Sequence, residues 1–374
     1  MSTTARKADF HLPEHTYLLN HSVGRPLRSS LTAFTDSFIA PWRDSGQEPW
    51  QAWLKIIGQF QSALGQLFNA PADQFCPQVN LSGAVAKLLP AIAQLQKPAC
   101  VVLMSEIDFP SMGFAVSKAL PHCELRFIPA DADVTELATW ANALTEDVDL
   151  VFISHAYSNT GQQAPVQDIV ALAQSHQVMS IVDVAQSAGI IPLDLALIQP
   201  DFLVGSSVKW LCGGPGAAYL WINPNRLADC TPRDVGWFSH ENPFEFDIHQ
   251  FRQHPTSLRF WGGTPSIAPY AFAAHSIAYF NEIGVAALRQ HNQQLLDLAS
   301  QQLQSARVSP AISDHRSGTL ILDFGSRQSE VLAALQKANI SVDARNLGMR
   351  VSPHIYNDSA DMQRLVDVVT RALS

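Results

Sequence analysis

Residues 180–221, SIVDVAQSAGIIPLDLALIQPDFLVGSSVKWLCGGPGAAYLW, decide the fold. They contain three strand-like apolar runs, yet the first holds a lone Asp183 and the second ends at a lone Lys209. A charge inside a buried run is costly unless it is paired or has a task. Upstream, ACVVLMSEI reads as a buried strand and PSMGFAVSKALPH as a helix opened by Pro110. CELRFIPA is a shorter strand, VTELATWANAL a helix, VDLVFISHAY a strand and PVQDIVALAQSHQ a helix with Pro165 at its start. With MSIVDVAQ, DFLVGSSVK and AAYLWIN as further strands, the pattern is α/β. Such alternation predicts a mostly parallel sheet covered on both faces, within a large domain over residues 47–255.

Downstream the texture changes. PSIAPYAFAAHSIAYFNEIG and VAALRQHNQQLLDLASQQLQ read as long helices. The strand GTLILDFG, the helix QSEVLAALQKAN, a strand pair around ISVDARNLGMRVSPHI and a last helix SADMQRLVDVVTRAL follow. This predicts a smaller α+β domain over 256–374.

Composition narrows the class. The 374 residues are 47% hydrophobic and 15% charged, as in ordinary globular proteins, and can bury a large core. A net charge of −9 with no basic stripe argues against nucleic-acid binding. No apolar run is long enough for a membrane helix, and the opening MSTTARKADFHLPEH lacks the apolar segment of a signal peptide. Five irregularly spaced cysteines, without CxxC or a Cys/His cluster, suit neither structural zinc nor a disulfide framework. A cytoplasmic address is the simplest expectation.

In open α/β sheets ligands sit at the carboxyl ends of parallel strands, where the pattern puts both Asp183 and Lys209. A buried lysine with a depressed pKa is the usual Schiff-base former. An aspartate facing it suits a protonated pyridine nitrogen, as in pyridoxal 5′-phosphate (PLP). A plain buried ion pair is the alternative. Ser82 and Gly83 open a helix whose positive end suits a phosphate, and Ser206 adds a hydroxyl near Lys209. Phe109 follows a strand and can stack on a flat ring, or pack in the core. A GxSxG elbow and a GxGxxG turn are both absent, against a serine hydrolase and a nicotinamide dehydrogenase.

With those residues in hand, the chain resembles the class V aminotransferase family of fold-type-I PLP enzymes, above all its kynureninase-related members. DVAQSAG…GSSVKWLCGGPG carries most of the likeness, reinforced by VGWFSHENPF, FWGGTPSIAP and MRVSPHIYN. The resemblance implies a large, mostly parallel seven-stranded sheet flanked by helices, an N-terminal segment (1–46) packed with the small domain, and PLP as cofactor. It implies Lys209 as the Schiff-base lysine, Asp183 at the pyridine nitrogen, and Gln186 near the ring hydroxyl or imine. Ser82, Gly83 and Ser206 match phosphate positions, and Phe109 the ring-stacking position. Ser158 matches a cofactor-contacting turn, with Asn159 as the fallback. Trp237 and Thr264 match residues that reach the phosphate from a neighbouring subunit, which implies a homodimer. Arg350 matches the arginine that grips the substrate α-carboxylate. His21 matches the N-terminal segment lining the substrate pocket.

Two departures rank the reactions. Kynureninases carry Tyr where Val208 stands, and Asp where Met112 stands. Transamination or an epimerase-like reaction is therefore ranked above kynureninase-type cleavage of the β side chain. Desulfurases of the family use a cysteine in the C-terminal domain, whereas every cysteine here lies at or before Cys230. A fold-type-I scaffold without catalysis remains the non-enzymatic alternative. His240, His354 and Arg316 stand beside the matched motifs without an assigned role, and Trp42, Trp50 and Trp53 are expected to pack helices.

Overall fold

Seven strands make the central sheet of the computed structural model, which describes residues 6–374; residues 1–5 of the N-terminal segment lie outside the described residues. Across the sheet the order is Glu124–Ile128, Val101–Ser105, Leu150–Ser154, Met179–Asp183, Phe202–Ser206, Ala218–Ile222 and Phe75–Gln78. The first five are parallel, and Ala218–Ile222 runs antiparallel to both its neighbours. The three runs of residues 180–221 thus lie side by side, as their apolar character requires.

Alternate residues of each strand feed two cores, the period-2 consequence of the pleat. Leu103, Val151, Val182, Leu203 and Tyr219 face one side, packed against the helices Trp50–Phe68, Val166–Ser175 and Ala268–Ile283. Val102, Phe152, Ile181, Val204 and Leu220 face the other, under Leu81–Leu88 and Pro110–Ala119. The helix Ala268–Ile283 belongs to residues 256–374 in sequence, yet its buried face joins the core of the large sheet.

The seventh strand, Phe75–Gln78, is the one that the apolar runs do not announce. FCPQ is short and contains Pro77, which an edge strand tolerates because one side of it needs no ladder bond.

A second sheet, Asp343–Arg345, Gly348–Val351 and Leu320–Leu322, is antiparallel. Val285–Gln302, Gln328–Lys337 and Ser359–Leu373 supply the helical side of its core. Asp358 starts the last helix with a capping box, its carboxylate accepting from the Asp361 N–H. The N-terminal segment ties both parts together. Thr16–Tyr17 pairs in parallel with Ile340–Ser341, while Phe10 and Leu27 are buried in the large core. Among the described residues no helix is long and apolar enough to cross a membrane.

Candidate active site

Lys209 sits on the loop between the antiparallel strands Phe202–Ser206 and Ala218–Ile222. Ser207 pins that loop: its N–H donates to Ala217 O at 3.0 Å, and its own carbonyl accepts from Gly213 N at 2.8 Å. Trp210 and Leu211 next to the lysine are buried, and His354 Nε2–H donates to Trp210 O at 2.8 Å. That bond makes His354 a support of the loop. Gly24 of the N-terminal segment donates its N–H to Val208 O at 2.9 Å. A Cβ at Gly24 would stand 2.2 Å from Lys209 O, so only glycine allows this approach.

Asp183 closes the strand Met179–Asp183, and its carboxylate accepts from the Ala185 N–H at 2.7 Å. Burial raises its pKa from 3.8 to about 6, opposed by that hydrogen bond and by the Lys209 charge. Burial lowers the Lys209 pKa; Asp183 pulls it up and Arg350 pushes it down. Both groups therefore lie nearer to a neutral charge state than in water.

The two charges share one cleft of about 200 Å³. It brings together Ser82, Phe109, Ser158, Asp183, Gln186, Ser206 and Lys209, with Met112, Ser154 and Tyr157. Phe109 is at the rim, 58% exposed, with Lys209 Nζ 5.9 Å from its ring centroid. Gly83 is not on this wall. Its N–H donates to the capping Asn80 Oδ1 at 2.8 Å, and it lines a broader adjoining groove that shares Ser82 and Ser111 with the cleft. Asn159, the fallback for Ser158, is not among the cleft residues.

Trp237 and Thr264 stand apart from this cleft and meet each other, Trp237 Nε1–H donating to Thr264 Oγ1 at 3.2 Å. Trp50 packs edge-on against Trp237, and Trp42 and Trp53 pack on each other and on Phe38. His240 closes a surface turn through Asn242 O and Gln250 O. Arg316 is fully buried against Gln293 and Asp297 on the helix Val285–Gln302. Neither of these last two lines the cleft.

Arg350 and His21 are both buried and are not among the residues lining the cleft; the partly exposed Asp343 meets both. Arg350 Nε–H donates to Asp343 Oδ1 at 2.8 Å, and its Nη2 to Oδ2. His21 Nε2 lies 3.0 Å from Asp343 Oδ1, and its Nδ1 lies 2.6 Å from Ser352 Oγ. A carboxylate only accepts, so Nε2 carries a His21 proton. Burial lowers the His21 pKa and Asp343 raises it. Burial would raise the Asp343 pKa, but the bonds from His21 and Arg350 outweigh it and hold it below the ordinary carboxylate range.

Sequence reasoning missed Asp343, Tyr157 and Asp108. Asp108 is buried beneath the cleft, accepting from Ser154 Oγ at 2.6 Å and Ser105 N at 2.8 Å; burial lifts its pKa to about 7. Its position directly before the aromatic of DFPS was the available signal.

The comparisons with known proteins accord with this geometry. The family profile "Aminotransferase class-V" matches residues 53–368. The chain belongs to the class V aminotransferase family. The aminotransferase YcbU of Bacillus subtilis (strain 168) is 23% identical over 375 residues, 96% of this chain and 98% of the relative. A kynureninase of Deinococcus radiodurans is 27% identical, covering 78% and 72%. The isopenicillin N epimerase of Streptomyces clavuligerus is 26% identical, covering 94% and 93%. The apo cysteine desulfurase of Thermococcus onnurineus NA1 superposes with a TM-score of 0.88 at 17% identity, over 99% of each chain. That likeness is one of fold: the fold-type-I architecture of PLP enzymes. PLP is the cofactor of this family, and the cleft fits it. Gln186 Oε1 and the Tyr157 hydroxyl are buried without a hydrogen-bond partner among the described residues. Unpaired buried polar atoms cost about 1–3 kcal/mol each unless a ligand satisfies them.

Proposed function

We propose that this chain acts on a small-molecule α-amino acid by transamination or an epimerase-like reaction, with PLP held at Lys209. The observation that carries the reading is the meeting of Lys209 and Asp183 in one cleft, beneath the exposed ring of Phe109. Bound PLP supplies an electron sink that stabilises negative charge on the substrate α-carbon.

The residues divide the remaining work. Lys209, eased toward its neutral amine by burial, would be the residue that holds the cofactor through its aldehyde carbon. The same amine would remove or return the proton on the substrate α-carbon. Asp183 meets the protonated ring nitrogen, and Phe109 stacks on the ring. Ser82 and Ser206 would hold the phosphate, with Gly83 beyond the cleft wall and its N–H taken by Asn80, and Ser158 and Gln186 would touch the cofactor. Arg350 takes the substrate carboxylate, with His21 beside it. Trp237 and Thr264, outside their own chain's cleft, serve the site of a second copy in a homodimer.

A second reading, kynureninase-type cleavage of the β side chain, draws support from the kynureninase relatives. Val208 and Met112 weigh against it. The similarity to an epimerase over nearly the whole chain supports the first reading.

The test is the absorption spectrum of the protein with added PLP, wild type against Lys209→Ala. The expected result is a visible band that borohydride bleaches in the wild type and that the variant lacks. If the wild type neither retains PLP nor shows the band, the Asp–Lys pair is structural and the non-catalytic scaffold stands. An amino-acid screen by spectral change then separates the reaction classes.

A further inference from the structure

The small sheet carries an unusual feature for a group meant to meet a substrate: the buried Arg350 already holds a carboxylate. Asp343 and Arg350 face each other across neighbouring antiparallel strands. The Arg350 side chain is 7% exposed and the Asp343 side chain 32%. Two donors of the guanidinium, one on Nε and one on Nη2, are committed to the two Asp343 oxygens. A guanidinium is planar and carries five N–H donors in a fixed fork. With the Nε–Nη2 edge taken, the Nη1 hydrogens and the second Nη2 hydrogen form another fork, coplanar with the first.

Asp343 is itself fixed from the far side. His21 Nε2–H donates to its Oδ1, Ser352 Oγ lies 2.6 Å from His21 Nδ1, and the Gln186 side-chain amide donates to His21 O at 3.1 Å. Gln186 lines the cleft with Lys209. The line of contacts therefore runs from the cleft, through the N-terminal segment, to the arginine.

The geometry points to Asp343 as a positioning residue: it clamps the Nε–Nη2 edge of Arg350 so that the remaining Nη1–Nη2 fork meets the α-carboxylate of an amino acid. This rests on the reading of Arg350 given under Proposed function. Two physical reasons support it. A buried guanidinium without a counter-charge is strongly destabilising, so a resident carboxylate keeps it in place before a ligand arrives. A long side chain also loses rotamer freedom when it binds, and a clamped arginine has lost that freedom already.

The experiment compares two probes on PLP-loaded protein: L-alanine, and ethylamine, which is alanine without its carboxylate. Spectral titration of each gives apparent dissociation constants, and their ratio reads the carboxylate contribution alone. In the wild type alanine is expected to bind more tightly. Asp343→Asn keeps the shape but removes the charge; the alanine constant is expected to weaken about tenfold while that for ethylamine stays unchanged. Asp343→Glu keeps the charge and displaces it by one methylene, so it serves if the asparagine variant fails to fold, with the same selective loss expected. If both constants shift together, Asp343 merely supports the cleft and the proposal is overturned. If alanine binds more tightly to the variant, Asp343 competes with substrate for Arg350, which overturns it as well. If neither probe changes the wild-type spectrum, the reading of Lys209 fails and takes this one with it.

Discussion

Lys209 holds its ammonium nitrogen 5.9 Å from the centre of the Phe109 ring, and that ring is 58% exposed at the cleft rim. An aromatic so placed contributes little to the core and much to whatever lies against its face. Phe109→Ala is expected to leave the thermal stability of the cofactor-free protein within about 0.5 kcal/mol. PLP affinity should fall roughly 3- to 10-fold, the worth of one aromatic contact. Fluorescence titration with PLP measures it, and equal affinities would remove Phe109 from the site.

The charge state of Asp183 gives a pH signature. Burial raises its pKa from 3.8 to about 6. For a group raised on folding, the stability is fully present below the ordinary value and is lost as pH rises through the folded value. Between about pH 4 and pH 7 the cofactor-free wild type should therefore lose on the order of 2–3 kcal/mol relative to Asp183→Asn, which does not titrate. Thermal midpoints of both proteins across that range provide the measurement. Parallel curves would mean that Asp183 is not desolvated as the structure has it.

What was legible beforehand follows from which signals are local. Five of the seven large-sheet strands announced themselves as apolar runs, because a strand covered on both faces must be apolar throughout, and the edge strand Glu124–Ile128 read as a shorter one despite Glu124 and Arg126. Phe75–Gln78 did not, since four residues with a proline resemble a turn. Asp183 and Lys209 stood out for the same local reason, as charges where apolar residues belong. Asp343 could not stand out. It is an ordinary aspartate in a half-polar strand, and its meaning lies in contacts with His21, 322 positions away, and Arg350 across the sheet. Gly83 shows the converse: its place at a helix start was readable, but that its N–H is taken by Asn80 was not.

Gly161 offers a stability test outside the cleft. It sits at φ +70°, and an added Cβ would lie 2.3 Å from Ser309 Oγ and 2.5 Å from Thr319 O. Its carbonyl accepts from Ser317 N, which fastens the turn after Tyr157 to the C-terminal part of the chain. Gly161→Ala is expected to cost about 2–4 kcal/mol, from left-handed strain and overlap together. Gly46→Ala, where nothing stands within 4 Å, is the control expected to cost almost nothing. Urea denaturation of the two variants decides it.

The proposed sharing of sites between copies is tested by mixing. Trp237→Ala should impair the neighbour's site, and Lys209→Ala its own. Co-expressed, the two form mixed dimers in which the chain that keeps Lys209 receives Trp237 from the other chain. Borohydride-reducible PLP is expected to reappear in the mixture, at up to half the sites of each mixed dimer. No recovery, with dimers seen by ultracentrifugation, would confine Trp237 to its own chain.

The parallel pairing of Thr16–Tyr17 with Ile340–Ser341 sets an order of assembly. A strand that finds its partner more than 300 positions later in the chain must wait until nearly all of it has been synthesised, and closing so long a loop is slow. During synthesis the large sheet can form first, with Phe10, Leu27 and Gly24 of the N-terminal segment able to dock on it early. The pairing of Thr16–Tyr17 and the seating of His21 on Asp343 must follow the synthesis of the C-terminal strands. Loss of the C-terminal strands leaves Thr16–Tyr17 without its partner and His21 without Asp343, so C-terminal truncation should loosen the beginning of the chain as well as its end.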